Sequence, residues 1–97
     1  MTRRRYVVAY DIRDAVRLRR VHKAMRSFGY TLQYSVFICD LDVGEKLDLK
    51  RQVREVMHLA EDSVVLIDLG DPDARGQECF EFLGPSRGLP RRGPLIV

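Results

Sequence analysis

Two stretches of consecutive apolar residues constrain the fold of this 97-residue chain more than any other feature of the sequence. They are Val7–Tyr10 and Val64–Ile67, and both are rich in the β-branched and aromatic residues that favour strands. Successive side chains of a strand point to opposite faces of a sheet. Both faces of a sheet built from these two segments must therefore be shielded from water.

Six elements are predicted in the order strand, helix, strand, strand, helix, strand. Gly29 supplies a stop for the first helix, and Asp42 with Glu45 forms a capping box at the start of the second. In chain order the elements are Tyr6–Ile12, Ala15–Phe28, Tyr30–Gln33, Ser35–Leu41, a helix that follows Asp42, and Ser63–Leu69. This order predicts an α+β, ferredoxin-like βαββαβ fold, with two helices on one face of an antiparallel sheet.

The second face of that sheet has no cover within the predicted ferredoxin-like domain, residues 1–84. Because a chain this short buries a small fraction of its surface, we expect a homodimer packed through the sheet. The alternating segment Cys79–Leu83 predicts an extra C-terminal strand. Residues 85–97 are predicted to be a basic C-terminal tail with a short terminal strand at 94–97. Both strands are candidates for completing the sheet of a neighbouring subunit.

Basic residues are concentrated at the front of the chain. Residues 1–30 contain nine Lys/Arg against two Asp, whereas residues 31–69 contain four Lys/Arg against eight Asp/Glu. Helical spacing predicts two basic flanks on the first helix: Arg13, Arg17 and Arg20 on one, and Arg19, Lys23 and Arg26 on the other. A positive face for an anionic partner is one interpretation, and a solvated basic helix is the other.

Several classes of protein are disfavoured. Cys39 and Cys79 form no CxxC or Cys/His ligand set, so two reduced thiols are expected rather than zinc or a disulfide scaffold. His22 and His58 fall on helices without a placed Ser or Cys partner, and no phosphate-loop or nucleophile-elbow motif is present. No apolar stretch approaches the roughly 20 residues of a membrane span, so a soluble, cytoplasmic protein with no membrane partner is expected.

Five aspartates are candidates for a carboxylate-rich magnesium site: Asp11, Asp14, Asp40, Asp42 and Asp68. Capping explains Asp14 and Asp42 by default, and solvated strand ends explain Asp40 and Asp68. Asp11 stands where the first strand ends and a loop begins, a position at which scaffolds present functional groups. The alternative is that Asp11 only holds the turn. Because Mg²⁺ takes one or two carboxylates, Asp11 would need the substrate or a second Asp11 across a dimer axis.

Four segments together resemble one protein family, that of CRISPR-associated protein two. They are Tyr10-Asp11-Ile12, the basic helix Arg17–Val21, Gln33–Phe37 with Cys39 and Leu41, and Glu61–Val64. The resemblance covers residues 6 to about 69 and does not extend to the last 28 residues. It implies a homodimer that works with the CRISPR integrase subunit in acquiring spacers from invading DNA. It also implies a magnesium-dependent endonuclease that acts on single-stranded RNA or duplex DNA.

By this resemblance Asp11 is the catalytic and metal-binding residue, and Mg²⁺ is the cofactor. Resemblance and charge together predict the following nucleic-acid-binding residues: Tyr10, Arg13, Arg17, Arg19, Arg20, Phe37, Arg91 and Arg92. For Tyr10 and Phe37 the alternative to stacking on a base is packing within the protein. Two other functions stay open, a non-catalytic DNA-binding scaffold of the integration complex and a toxin-like messenger RNA nuclease of similar fold.

Overall fold

The computed structural model describes residues 2–85 of the chain. Its elements are β1 (Arg4–Asp11), α1 (Ala15–Met25), β2 (Tyr30–Gln33), β3 (Val36–Leu41), α2 (Val43–Val56), β4 (Ser63–Gly70) and a short helix, α3 (Arg75–Glu78). The predicted βαββαβ order is confirmed. The apolar runs, the capping residues and the turn glycines of the sequence are local signals, and they locate these elements without tertiary information.

The four strands form one antiparallel sheet in the order β2-β3-β1-β4. The first strand is central and pairs with β3 on one side and β4 on the other. Its last residue, Asp11, lies opposite Ser63, the first residue of β4, and Ala9 lies opposite Val36. The carboxyl end of β1 therefore meets the start of both neighbouring strands at one end of the sheet.

One face of the sheet is covered by both long helices, as predicted. The buried core on this face comprises Tyr6, Val8, Tyr10, Phe37, Cys39 and Leu41 from the sheet with Val21, Met25, Leu49 and Val53 from the helices. Cys39 is a free thiol whose pKa is raised to about 12 by burial, and Cys79 is a free, exposed thiol. The expectation of two unpaired cysteines is therefore confirmed.

The opposite face of the sheet is only partly covered. Val65 and Ile67 point to this face and remain about half exposed, at 49% and 48%. Arg5 lies on the same face with its side chain fully buried, where it donates two hydrogen bonds to Asp40, from Nε at 2.7 Å and from an Nη at 2.8 Å. This face combines an unshielded apolar patch with a buried ion pair.

Two predictions about the elements need correction, and a third lies outside the described residues. The first helix ends at Met25 rather than Phe28, because the chain turns there toward the sheet and brings Gly29 against the backbone of Ile38. The strand predicted over Cys79–Leu83 is absent from the single chain. Phe80 and Phe82 stack on each other instead, with ring centroids 6.3 Å apart. Alternation marks a strand only where a pairing edge is available, and no strand within residues 2–85 pairs with this segment. The terminal strand predicted at 94–97 lies outside the described residues.

Candidate functional site

The candidate metal ligand Asp11 is an exposed carboxylate at the carboxyl end of the central strand. Its side chain is 71% exposed, and Arg13 lies close by, with an Nη 3.7 Å from Asp11 Oδ2. This separation is too long for a hydrogen bond, so the carboxylate oxygens stay accessible to solvent or to a ligand. Asp11 is thus held in place by its backbone rather than by its side chain.

Two of the other four candidate aspartates cap helices, as the default explanation predicted. Asp14 accepts a 3.0 Å hydrogen bond from the backbone amide of Arg17 at the start of α1, and Asp42 accepts one of 2.8 Å from Glu45 at the start of α2. Each bond lowers the pKa of its carboxyl group. Both carboxylates are thereby committed to local structure.

The remaining two candidates bind arginines of β1. Asp40 pairs with Arg5, as described above, and Asp68 accepts a 2.9 Å hydrogen bond from Nε of Arg4. The bond from Arg4 lowers the pKa of Asp68. Sequence reasoning treated these two aspartates as solvated strand ends, and it missed the arginine partners because they are more than thirty residues away in the chain. Asp11 is therefore the candidate whose oxygens have the least structural role.

A buried carboxylate that the sequence interpretation did not single out, Asp62, holds the loop after Asp11. It accepts a 2.9 Å hydrogen bond from the backbone amide of Arg13, one of 2.8 Å from Nε of Arg17 and one of 2.8 Å from the amide of His58. The bond from the Arg17 guanidinium lowers the pKa of the Asp62 carboxyl well below its usual range. The signal available in the sequence was an acidic residue directly before an apolar strand.

Two of the predicted nucleic-acid-binding residues, Tyr10 and Phe37, belong to the core. Their side chains are buried, and their rings face each other at 6.2 Å. The hydroxyl of Tyr10 shares a 2.9 Å hydrogen bond with Nδ1 of His22, and burial raises the pKa of Tyr10 to about 12. A base cannot reach either ring in this structure, so the packing alternative replaces stacking for both residues.

The predicted arginines differ in how available they are. The side chain of Arg13 is 68% exposed, and Arg19 and Arg20 are exposed on α1. Arg17 is instead 22% exposed and bound to Asp62 and to Glu61, with an Nη 2.8 Å from Glu61 Oε1. Arg17 thus contributes to folding and offers few donors to a phosphate. Arg91 and Arg92 lie outside the described residues.

Asp11 has the chemistry of a magnesium ligand. Within residues 2–85, no group of three or more His, Cys, Asp or Glu side chains is arranged to hold a metal ion. Hard carboxylate oxygens suit Mg²⁺, which completes its shell with water and phosphate oxygens. Asp11 fits as one carboxylate ligand of such an ion. Over the same residues, no helix has the length and apolar character needed to cross a membrane.

The family comparison matches most of the described chain. A family model described as "CRISPR associated protein Cas2" matches residues 4–75. A CRISPR-associated endoribonuclease Cas2 of Geobacter sulfurreducens is 45% identical over 65 residues, covering 67% of this chain and 68% of the relative. A Cas2 endoribonuclease of Rhodospirillum rubrum is 42% identical over 92 residues, covering 95% and 89% of the two chains.

Two solved structures are also similar in fold. A hypothetical protein from Thermus thermophilus superposes with a TM-score of 0.76 at 34% identity, covering 87% of this chain and 94% of that one. Cas2 of Streptococcus pyogenes superposes with a TM-score of 0.73 at 29% identity, covering 82% of this chain and 99% of the other. Both likenesses extend beyond the sheet to most of the described residues.

Proposed function

The chain belongs to the CRISPR-associated Cas2 family, and from that membership we propose that it acts with a CRISPR integrase in acquiring spacers and cleaves phosphodiester bonds with Mg²⁺. Relatives carry the names endoribonuclease and, in Thermus thermophilus, endonuclease. These names support a nuclease whose substrate is RNA or DNA. The integrase partnership rests on family membership alone.

One observation supports the catalytic part of the proposal: the carboxylate of Asp11 is accessible to a ligand. The four other candidate aspartates are bound to helix amides or to arginines, whereas Asp11 is 71% exposed at the end of a rigid central strand. A catalytic carboxylate placed on a strand end is positioned more accurately than one on a loop. The loop that follows is itself fixed by Asp62.

The second carboxylate is proposed to come from a second copy of the chain. The apolar patch around Val65 and Ile67 lies on the sheet face that the helices leave open, and an exposed patch of this kind favours association. A closed twofold interface presents the same residues from both subunits. A dimer through this face would give the assembly two Asp11 carboxylates from symmetry-related strand ends.

The residues around this site have separable roles. Asp11 would be the ligand of a bound Mg²⁺, which supplies water activation and charge stabilisation at the phosphate. The guanidinium of Arg13 lies beside Asp11 and is exposed, so it can bind a neighbouring phosphate of the substrate. Asp62 orients Arg13 through its backbone amide without contacting the substrate.

A non-catalytic scaffold is the second candidate function, and the exposed arginines favour it. Arg19 and Arg20 are exposed on α1, and phosphate binding by such residues needs no metal. In a scaffold, Asp11 would serve only to hold the turn. The two functions share the DNA-binding surface and differ in the role of Asp11.

The test compares Asp11→Asn with Asp14→Asn. Both variants remove one negative charge near the same loop, and asparagine remains a good helix cap at position 14. We expect Asp11→Asn to abolish magnesium-dependent cleavage of RNA and duplex DNA while dimer mass and DNA affinity stay nearly unchanged, and Asp14→Asn to retain cleavage. Equal cleavage by wild type and Asp11→Asn, after parallel purification, would end the catalytic proposal and leave the scaffold.

A further inference from the structure

A groove runs along the flank of α1 that faces the turn between β2 and β3. It has a volume of about 330 Å³ and is called the α1 groove here; its lining residues are Leu18, Arg19, His22, Lys23, Arg26 and Tyr34. This volume falls within the range of small-ligand sites. Its lining combines one apolar side chain, two rings and three cationic side chains, a composition that differs from that of the core and of the open sheet face.

Tyr34 presents an aromatic ring to the α1 groove. The residue is 74% exposed, and its ring lies against His22 with the centroids 6.5 Å apart and the planes inclined by 25°. His22 is fixed on the side of the core, because it packs edge-on against Phe37 at 5.2 Å and shares a hydrogen bond with Tyr10. Tyr34 is thus supported on one side and open on the other, as a platform for stacking requires.

Three cations surround this platform. Arg19, Lys23 and Arg26 recur at intervals of four and three residues, which places them along one flank of α1. Within the part of the chain that the structure describes, no ion pair engages any of the three. Arg17, on the other flank, is bound to two carboxylates. Unpaired cations along a groove attract a chain of phosphates.

We propose that the α1 groove binds an unpaired nucleotide of single-stranded nucleic acid, with the base stacked on Tyr34 and the adjoining phosphates bound by Arg19, Lys23 and Arg26. This inference deepens the proposed function and rests on its nucleic-acid binding. A base within a duplex is already stacked on its neighbours, whereas an unpaired base can be splayed onto an aromatic side chain. The ligand chemistry is common to DNA overhangs and to RNA.

The position of the groove relates it to Asp11. The backbone amide of Tyr10 donates a 3.0 Å hydrogen bond to the carbonyl of Ser35, directly after Tyr34. The stacking platform and the strand end that carries Asp11 therefore lie at the same end of the sheet.

The experiment measures binding of short oligo-dT, oligo-U and a blunt DNA duplex to the full-length chain. We expect Tyr34→Ala to weaken single-strand binding about tenfold, Tyr34→Phe to retain it, and duplex affinity to change less than about twofold. Lys23→Ala is expected to weaken single-strand binding, and Arg51→Ala, on α2 and paired with Asp48 and Glu55, serves as the control. Because Tyr34 is exposed, melting temperatures should stay near that of wild type.

The chain contains no tryptophan, so tyrosine emission gives a second readout. Oligo-dT should quench this emission in the wild type, and most of the quenching should be lost in Tyr34→Phe if the stacked ring is Tyr34. An equal loss of binding to oligo-dT and oligo-U in Tyr34→Ala supports a base-and-phosphate site. A greater loss for oligo-U supports the same site with added 2′-hydroxyl contacts. Unchanged single-strand binding in Tyr34→Ala, or equal loss for single strand and duplex, would overturn the inference. Duplex binding without any single-strand binding by the wild type would overturn it while leaving the proposed function intact.

Discussion

The carboxylate of Asp62 accepts a 2.9 Å hydrogen bond from the backbone amide of Arg13, two residues beyond Asp11. The same carboxylate binds Nε of Arg17 at 2.8 Å, and the next residue, Ser63, lies opposite Asp11 in the sheet. The loop between β1 and α1 is therefore attached to the start of β4 through one buried acidic group. This attachment helps to fix the backbone on the carboxyl side of Asp11.

The first prediction concerns the pH dependence of stability. The folded-state pKa of Asp62 is lowered by Arg17, so it lies below the ordinary value of about 3.9. The stabilisation that Asp62 provides is complete above that ordinary value and is lost as the pH falls toward the folded-state pKa. Thermal melting of the wild type should therefore fall steeply with acid below about pH 4.

The matched variant for this prediction is Asp62→Asn. It should melt lower than the wild type at neutral pH, and its melting temperature should fall less steeply over the acidic range. Asp48→Asn, which removes an exposed carboxylate from α2, controls for net charge. Identical acid slopes for the wild type and Asp62→Asn would show that Asp62 does not carry this dependence.

Features that depend on residues close together in the chain can be predicted from the sequence, whereas features that depend on distant residues cannot. The order of the first six elements and the caps Asp14 and Asp42 depend on neighbours within a few residues, and they were predicted correctly. The role of Asp62 depends on Arg17, which lies 45 residues away, and no local pattern reports such a pair. Burial of Phe37 likewise depends on which face of the sheet the helices cover. The alternation of side chains along a strand does not determine that face.

In the candidate site, too, the sequence predicted what is local and missed the contacts between distant residues. The sequence located Asp11 at a strand end, but only the structure shows that the other candidate aspartates are engaged elsewhere. Alternation in Cys79–Leu83 predicted a strand, but no strand of the part of the chain that the structure describes pairs with this segment. Whether that segment pairs in a dimer stays a prediction, because strand formation requires an edge that a second subunit would supply.

The second prediction tests the close approach of the loop before β2 to the sheet. A Cβ atom at Gly29 would lie 2.2 Å from the carbonyl oxygen of Ile38 and 2.6 Å from Sγ of Cys39. Gly29→Ala should therefore destabilise the fold by about 3 kcal/mol, measured by denaturant unfolding. Gly44→Ala is the control, since its Cβ would lie 3.4 Å from Asp42. Equal stability of the two variants would contradict this packing.

The third prediction concerns duplex DNA. Binding should be strongly salt-dependent and show little sequence preference, because exposed arginines contact phosphates. Arg20→Ala should weaken binding and reduce the slope of log affinity against log salt by about one. Arg51→Ala, on α2 and paired with Asp48 and Glu55, should leave the slope unchanged. An affinity that does not change between low and moderate salt would contradict the phosphate-binding surface.

The fourth prediction is that the chain forms a dimer through the open face of the sheet. Light scattering at low micromolar concentration should give the mass of two chains, and Ile67→Asp should give one, because a buried unpaired charge opposes association. Val43→Asp alters an apolar residue of α2 that is 69% exposed, and it should remain dimeric. A monomeric wild type would refute the dimer, and a dimeric Ile67→Asp would place the interface elsewhere.

The most direct test of the central claim, a magnesium site shared between two Asp11 carboxylates, is subunit mixing. Wild type and Asp11→Asn are unfolded together in equal amounts and refolded, so that about a quarter of the dimers carry two wild-type chains. If both carboxylates are required, magnesium-dependent cleavage should fall to about a quarter of the wild-type value at equal total protein. Cleavage at about half of the wild-type value would mean that each chain carries a complete site of its own and would contradict the shared site.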